Sequence, residues 1–262
     1  MRTIWQIFGF VFRDNMRSMW APIYLLFFAV STFVLIHLTG SFGRAMVSLM
    51  NLVVIIIPLV STMMASMYFF YKSDFTYLLL SQPIKRAHIF LGIYSGVAFT
   101  LSAASVLGLL FGAAFAFPSG TDLAVYILLL ITAAMLSWIF AAIAFFVSLS
   151  AKDKLRGIGI SLFLWLFMAV IYDGLLLTYF FVFSEYPIEQ HAIYFSLANP
   201  VDLARVFLML QLDVSALMGY SGAVFQSFFG NATGKLISAA ALLLWIILPL
   251  VGVVWKANRK DF

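Results

Sequence analysis

Cysteine is missing from the whole 262-residue chain, which excludes disulfides and thiolate metal sites. Charge is almost as scarce. Asp, Glu, Lys and Arg supply 10% of the residues, where a soluble domain carries roughly 25%. Strict alternation of apolar and polar residues is absent, and with it the signature of a membrane β-barrel. No G-x-x-x-x-G-K-[ST] phosphate loop occurs: GNATGKL from Gly230 is one residue short and lacks the Ser or Thr, so ATP chemistry must come from elsewhere. Clustered acids or histidines at membrane depth, which an intramembrane enzyme needs, are lacking too. Asp173 is the one ionisable residue placed deep in an apolar run. Rings of charge and filter-like loops, the marks of an ion channel, are likewise not seen.

What is present is hydrocarbon. Apolar residues make up 65% of the chain and the mean hydropathy is +1.09, the composition of a membrane protein. About 20 apolar residues cross a ~30 Å hydrocarbon core as a helix, and six stretches qualify: Ala21–Thr39, Val47–Phe70, Ile89–Phe117, Leu123–Leu149, Ile158–Phe183 and Leu236–Trp255. Backbone groups in lipid must bond within their own segment, so these runs predict helices. The expected fold class is an all-α membrane protein with six transmembrane helices, an N-terminal interfacial helix over 1–19 and short outer helices between spans five and six. Residues 20–262 form the transmembrane domain, with an outer segment at 184–235.

Basic residues set the expected orientation. Arg2, Arg13, Arg17, Lys72, Lys85, Arg86, Lys152, Lys154, Arg156, Lys256, Arg259 and Lys260 fall at one set of span ends, and Arg44, Arg205 and Lys235 at the other. Twelve against three predicts both termini in the cytoplasm. Charges spread over membrane boundaries in this way make no patch for nucleic acid. In the first nineteen residues Ile4, Phe8, Val11, Phe12, Met16 and Met19 recur at helical spacing, opposite Arg2, Gln6, Arg13 and Arg17. This predicts an amphipathic helix on the inner leaflet rather than a cleavable signal.

The stretch LLLSQPIKRAHIFLG, Leu78 to Gly92, interrupts two apolar runs on the cytoplasmic side. Pro83 is suited to the first turn of a short helix, followed by Lys85, Arg86 and His88. The positive-inside rule alone accounts for Lys85 and Arg86. LLLSQPIKRAHIFLGIYSG also resembles the loop between the second and third helices of ABC-2 type transporter permeases, although KSDFT stands before it and Ile93 occupies the usual lysine position. The six spans, the amphipathic first helix and the tail KANRKDF agree with that resemblance. It implies that Gln82, Pro83, Ile84, Lys85, Arg86 and His88 couple the chain to a separate cytoplasmic ABC ATPase, which binds ATP and magnesium. It also implies a second permease copy, the chain itself carrying no catalytic residue and no bound cofactor, in a bacterial inner membrane.

Gly92, Gly96, Thr100, Ala104, Gly108, Gly112 and Ala116 recur every four residues in span three. Small residues at this spacing let helices approach closely in lipid. The row drifts around the helix, so one neighbour cannot use all of it. Pro58 and Pro249 are expected to bend spans two and six. Asp173 marks a pathway or a paired site, since an acid at membrane depth is costly; the sequence names no partner for it.

In the outer segment, ANPVDLARVF predicts a helix start: Asn199 as cap, Pro200 at the first position, Asp202 closing a capping box. The ten or so apolar residues beyond are too few to span, which predicts short helices re-entering or lying at the outer surface, with SALMGYSGAVFQSFFG as a second one. NPVDLARVFLML…SALMGYSGAVF is also similar to the external region of those permeases of the family that serve copper-site maturation of nitrous oxide reductase. This implies an outer docking surface at Asn199, Pro200, Asp202 and Arg205 for a periplasmic β-helical protein, and copper as cargo, with a sulfur species as the rival. Met46, Met50, Met209, Met218, His37 and His191 are soft ligands near the outer side, but no clustered metal motif joins them; His37, Met209 and Met218 are the candidates for direct copper contact. An exporter of lipid, glycan or drug is the alternative, and an intramembrane enzyme the remote one.

Overall fold

The structure is a computed structural model that describes residues 2–114, 121–183, 189–212 and 232–260. Among the described residues all regular structure is helical: α1 (Arg2–Arg17), α2 (Trp20–Thr39), α3 (Phe42–Tyr71), α4 (Ser73–Leu80), α5 (Arg86–Ala113), α6 (Thr121–Ser150), α7 (Lys154–Leu166), a π-helical turn (Phe167–Ile171), α8 (Tyr172–Val182), α9 (Glu189–Ala198), α10 (Pro200–Gln211) and α11 (Ala232–Arg259). Six helical stretches are long and apolar enough to cross a membrane: α2, α3, α5, α6, the composite Lys154–Val182 and α11. The chain is an all-α, multi-pass membrane protein. α3 and α6, each 30 residues, are about 45 Å long at 1.5 Å per residue. They therefore run past the hydrocarbon core at their ends.

The core is built on α5 and α6, whose windows are 67% and 61% buried. The small-residue row of α5 explains why. A side chain added at Gly92 would meet Ile7 at 2.9 Å and one at Gly96 would meet Val11 at 2.6 Å, so α1 lies on this half of the row. At Gly108 and Gly112 the nearest atoms are the Leu25 and Ala29 carbonyl oxygens, both at 2.5 Å, so α2 takes the other half. Tyr126 Oη donates to Leu109 O at 2.6 Å and Tyr94 Oη to Trp138 O at 3.0 Å, joining α6 to α5 by buried bonds to backbone.

α1 is thus a helix packed into the bundle by a narrow stripe. Val11 is fully buried and so is Ile7, which the periodicity did not single out, whereas Met16 and Met19 are exposed. α2 ends at Gly40, whose φ of +62° is left-handed. There any other residue pays about 1–2 kcal/mol in backbone strain. α3 and α11 run unbroken through Pro58 and Pro249. Pro58 cannot donate to Val54, and one residue on, the Trp165 indole donates to Ile55 O at 3.2 Å, tying the fifth span to this weakened turn.

Four of the basic clusters meet at one end of the bundle. Lys72 pairs with Asp14 at 3.0 Å, and the Lys154 ammonium sits 3.4 Å from the Tyr71 ring centroid. Arg86 Nη1 donates to Lys260 O at 2.7 Å, and Lys260 Nζ to Leu149 O at 3.0 Å. The segments that the charge pattern assigned to one side do share an end.

Candidate functional site

At the basic end, Gln82–Lys85 is a turn rather than a helix opened by Pro83, and Arg86 and His88 belong to the first turn of the next helix. The short helix, α4, lies before it and ends at Leu80, and α5 begins only at Arg86. The reason is the residue preceding proline: the ring disfavours helical backbone at Gln82. Ile84 N then donates to Gln82 O at 2.7 Å in a tight bend, and Lys85 is extended.

The turn divides the predicted coupling residues into two groups. Gln82, Pro83 and Lys85 are exposed. Ile84 packs against the core, and Arg86 and His88 are half-buried. Arg86 serves the molecule itself by holding the C-terminal end of α11, so the surface offered outward is smaller than the sequence suggested. Burial, then the charge of Lys256, lowers the Lys260 ammonium from the usual lysine range.

At the opposite end, the partner of Asp173 is Arg205 on α10, whose Nη1 donates to Asp173 Oδ2. Asp173 stands nine residues before the end of α8, about 13 Å down the helix. Asp202 lies 3.9 Å from the same guanidinium and accepts the Ser196 hydroxyl at 3.0 Å. Burial raises the Asp202 carboxyl above the ordinary range, against the lowering effect of the Ser196 bond. The expected capping box does not close. Asn199 Oδ1 caps Val201 N at 3.1 Å as predicted, but Asp202 turns to Ser196 and Arg205, and Asn199 N goes to Ser196 O.

The other half of the Asn199 side chain carries information the sequence did not: Nδ2 donates to Met168 O at 2.7 Å. Met168 lies in the π-helical turn, where the wider winding leaves carbonyls free for outside donors. Tyr172 Oη donates to Phe195 O at 2.7 Å, and Trp245 Nε1 to Leu197 O at 3.3 Å. These bonds seat α9 and α10 between the fifth and sixth spans. Asn199 and Pro200 are buried, Asp202 and Arg205 half-buried. Asn199, Asp202 and Arg205 fix α10 by these bonds, while Asp202 and Arg205 keep part of their side-chain surface. SALMGYSGAVFQSFFG lies outside the described residues.

The copper candidates are not brought together. His37 is exposed at the end of α2, its Nδ1 2.8 Å from Phe33 O. Met209 packs against the core of α10. Met218 and Ala116 lie outside the described residues, and among those described no three His, Asp or Glu side chains gather as a metal site.

The arrangement defines a class: a helical multi-pass membrane protein with a polar turn at one end and, towards the other, an ion pair joining α8 to α10. Comparison narrows the class. The chain is 26% identical, over an alignment of 279 positions covering 97% of it and 95% of the relative, to the "Probable ABC transporter permease protein NosY" of Stutzerimonas stutzeri. It is 24% identical over 236 positions, 84% of this chain and 86% of the relative, to the protein of the same name from Pseudomonas aeruginosa. No protein-family model matches. Similarity over most of the chain supports a transporter permease subunit.

Proposed function

We propose that the chain is the NosY-like permease of a system that uses ATP hydrolysis on a separate, NosF-like subunit to deliver copper for maturation of the copper sites of nitrous oxide reductase. A sulfur species is the rival cargo. The observation that carries this reading is the similarity, over most of the chain, to two proteins named NosY. On this reading two copies of the chain form the transmembrane unit in the bacterial inner membrane, with both termini in the cytoplasm; the bias of twelve basic residues to one set of span ends supports that orientation. Outside, the segment around α9 and α10 meets a NosD-like β-helical protein of the periplasm.

The coupling step follows from the cytoplasmic turn. ATPase closure pushes on Gln82, Pro83 and Lys85, and the turn passes the displacement to α5, which packs on α1, α2 and α6. The chain's work is to convert one rigid-body motion into another. The alternative, export of lipid, glycan or drug, shares the ATPase but not the β-helical partner, which separates the two readings.

The test is affinity purification of the tagged chain from its native membrane, with mass spectrometry of what accompanies it. An ATPase together with a β-helical periplasmic protein supports copper delivery; an ATPase alone supports a general exporter; no ATPase sinks the permease reading. Lys85→Glu is the matching variant, because Lys85 is exposed while Arg86 is engaged with Lys260. It should reduce stimulated ATP hydrolysis in the complex while leaving the amount of inserted chain unchanged.

A further inference from the structure

A cleft of about 850 Å³ opens at the basic end between the α1–α2 elbow, α3 and α5, within the roughly 300–1,000 Å³ typical of ligand sites. Its origin lies in the small-residue row of α5. α1 covers Gly92 and Gly96, and α2 covers Gly108 and Gly112. Between these two halves of the row, Thr100 and Ala104 are themselves buried and line the floor of the cleft. Phe27, Leu59, Met63, Met67 and Leu101 line it further, so its surface is mainly apolar. A cleft of this kind is unsuited to water, which needs two to four polar partners. Left empty, it would forfeit the contacts of every lining atom. Hydrocarbon is the chemistry that fills it.

The dimensions and charges narrow the occupant. On α3 the lining runs from Ile56 to Lys72, sixteen residues or about 24 Å. That is close to the roughly 20–22 Å from the bilayer midplane to the outside of one headgroup layer. The mouth holds Asp14, Asn15, Arg17 and Lys72. Lys72 is paired with Asp14 at 3.0 Å, whereas Arg17 is exposed and has no carboxylate partner among the described residues. Asn15 Nδ2 is buried with no acceptor. The mouth therefore offers one net positive charge and spare donors at the level where a headgroup phosphate lies.

We infer that the cleft holds an acyl chain of an anionic phospholipid from the leaflet at the basic end, its phosphate set among Arg17, Lys72 and Asn15. The lipid fills the elbow and braces α1 and α2 against α3, the helix that leads into α4 and the coupling turn. This inference stands whatever the cargo and whichever ATPase is bound.

The experiment is native mass spectrometry of the full chain, purified in detergent, stripped of lipid and titrated with phosphatidylglycerol or phosphatidylcholine of equal chain length. Phosphatidylglycerol should be retained at least about fivefold more strongly, and Arg17→Glu should weaken its retention by about fivefold or more, the effect of one basic residue near a charged lipid surface. Arg13→Glu, on the same helix but outside the cleft, should leave retention unchanged. Met67→Trp, which fills the cleft, should displace the lipid while the protein still melts cooperatively. Equal retention of the two lipids, equal loss in the Arg13 and Arg17 variants, or a disulfide between two copies carrying Met63→Cys with no lipid retained would each overturn the proposal. The last would show a second chain occupying the cleft.

Discussion

The third and fifth spans have almost the same mean hydropathy, 1.8 for Arg86–Ala113 and 2.1 for Lys154–Val182, yet 67% of one window is buried and 11% of the other. Lipid solvates apolar side chains as well as protein does, so greasiness cannot choose which helix goes inside. Side-chain size can. α5 carries a row of small residues against which α1 and α2 close to backbone contact, whereas the fifth span exposes Phe163, Val170, Leu175, Leu177 and Phe181. That span is instead fastened at separate polar points: Trp165 to Ile55 O, Met168 O to Asn199, Tyr172 to Phe195 O, and Asp173 to Arg205. One helix is held by shape along its length, the other by a few bonds and one close approach, of Gly157 to the Phe70 ring.

The strongest way to break this contrast is to add the same side chain to both spans. Gly112→Leu would force a Cβ within 2.5 Å of Ala29 O and Thr32 Cβ, and backbone cannot give way as a flexible side chain would. We expect a loss of about 3 kcal/mol, the upper end for overpacking, seen as collapse of the folded fraction in a detergent melt. Gly159→Leu, where nothing lies within 4 Å, should leave the melt nearly unchanged. Equal damage from the two would refute the division.

Next in size is the ion pair. Asp173→Ala and Arg205→Ala should each cost about 1–3 kcal/mol, because each strands a half-buried charged group. The double variant should cost less than their sum, and a double-mutant cycle in equilibrium unfolding reads the difference. Strict additivity would mean that the pair contributes nothing to seating α10. Asn199→Ala removes both the cap and the bond to Met168 O, and should cost about 1 kcal/mol or somewhat more. Asn199→Ser, which keeps a capping oxygen but cannot span to Met168, should recover part of that loss.

The smallest effect is on pH dependence. Burial raises the Asp202 carboxyl in the folded state, with the neighbouring Asp173 acting in the same direction and Ser196 and Arg205 opposing. The folded protein therefore binds this proton more tightly than the unfolded chain does, and its stability falls as pH climbs from the ordinary carboxylate range through the raised value. The difference in melting temperature, wild type minus Asp202→Asn, should therefore decline as pH rises over that window. A difference rising with pH would show that the Arg205 attraction outweighs burial.

Much of the plan was legible in the linear chain. The six spans, α1, the cap at Asn199 and the meeting of the basic segments follow from length, periodicity and charge, which act locally or along the membrane normal. The turn at Gln82–Lys85 is ambiguous in the sequence because proline serves equally well to open a helix or to end one; here it ends one, and Ile84 beside it packs against the core. Likewise Asn199 has two polar ends: one bonds its own helix and is visible locally, while the other needs the carbonyl of Met168, thirty-one residues away. No periodicity announces a π-helical turn.

Composition and pattern alone determined that this chain is a helical membrane protein with six spans and one strongly basic end. They also placed a small-residue row on α5 without saying what would use it. Tertiary structure decided that α1 and α2 divide the row and leave a cleft between them, and that Asp173 meets Arg205. The physical reason is common to both: hydrophobic length is fixed by the bilayer and can be read residue by residue, whereas packing in lipid depends on which surfaces fit, a property of pairs of helices that neither sequence segment contains.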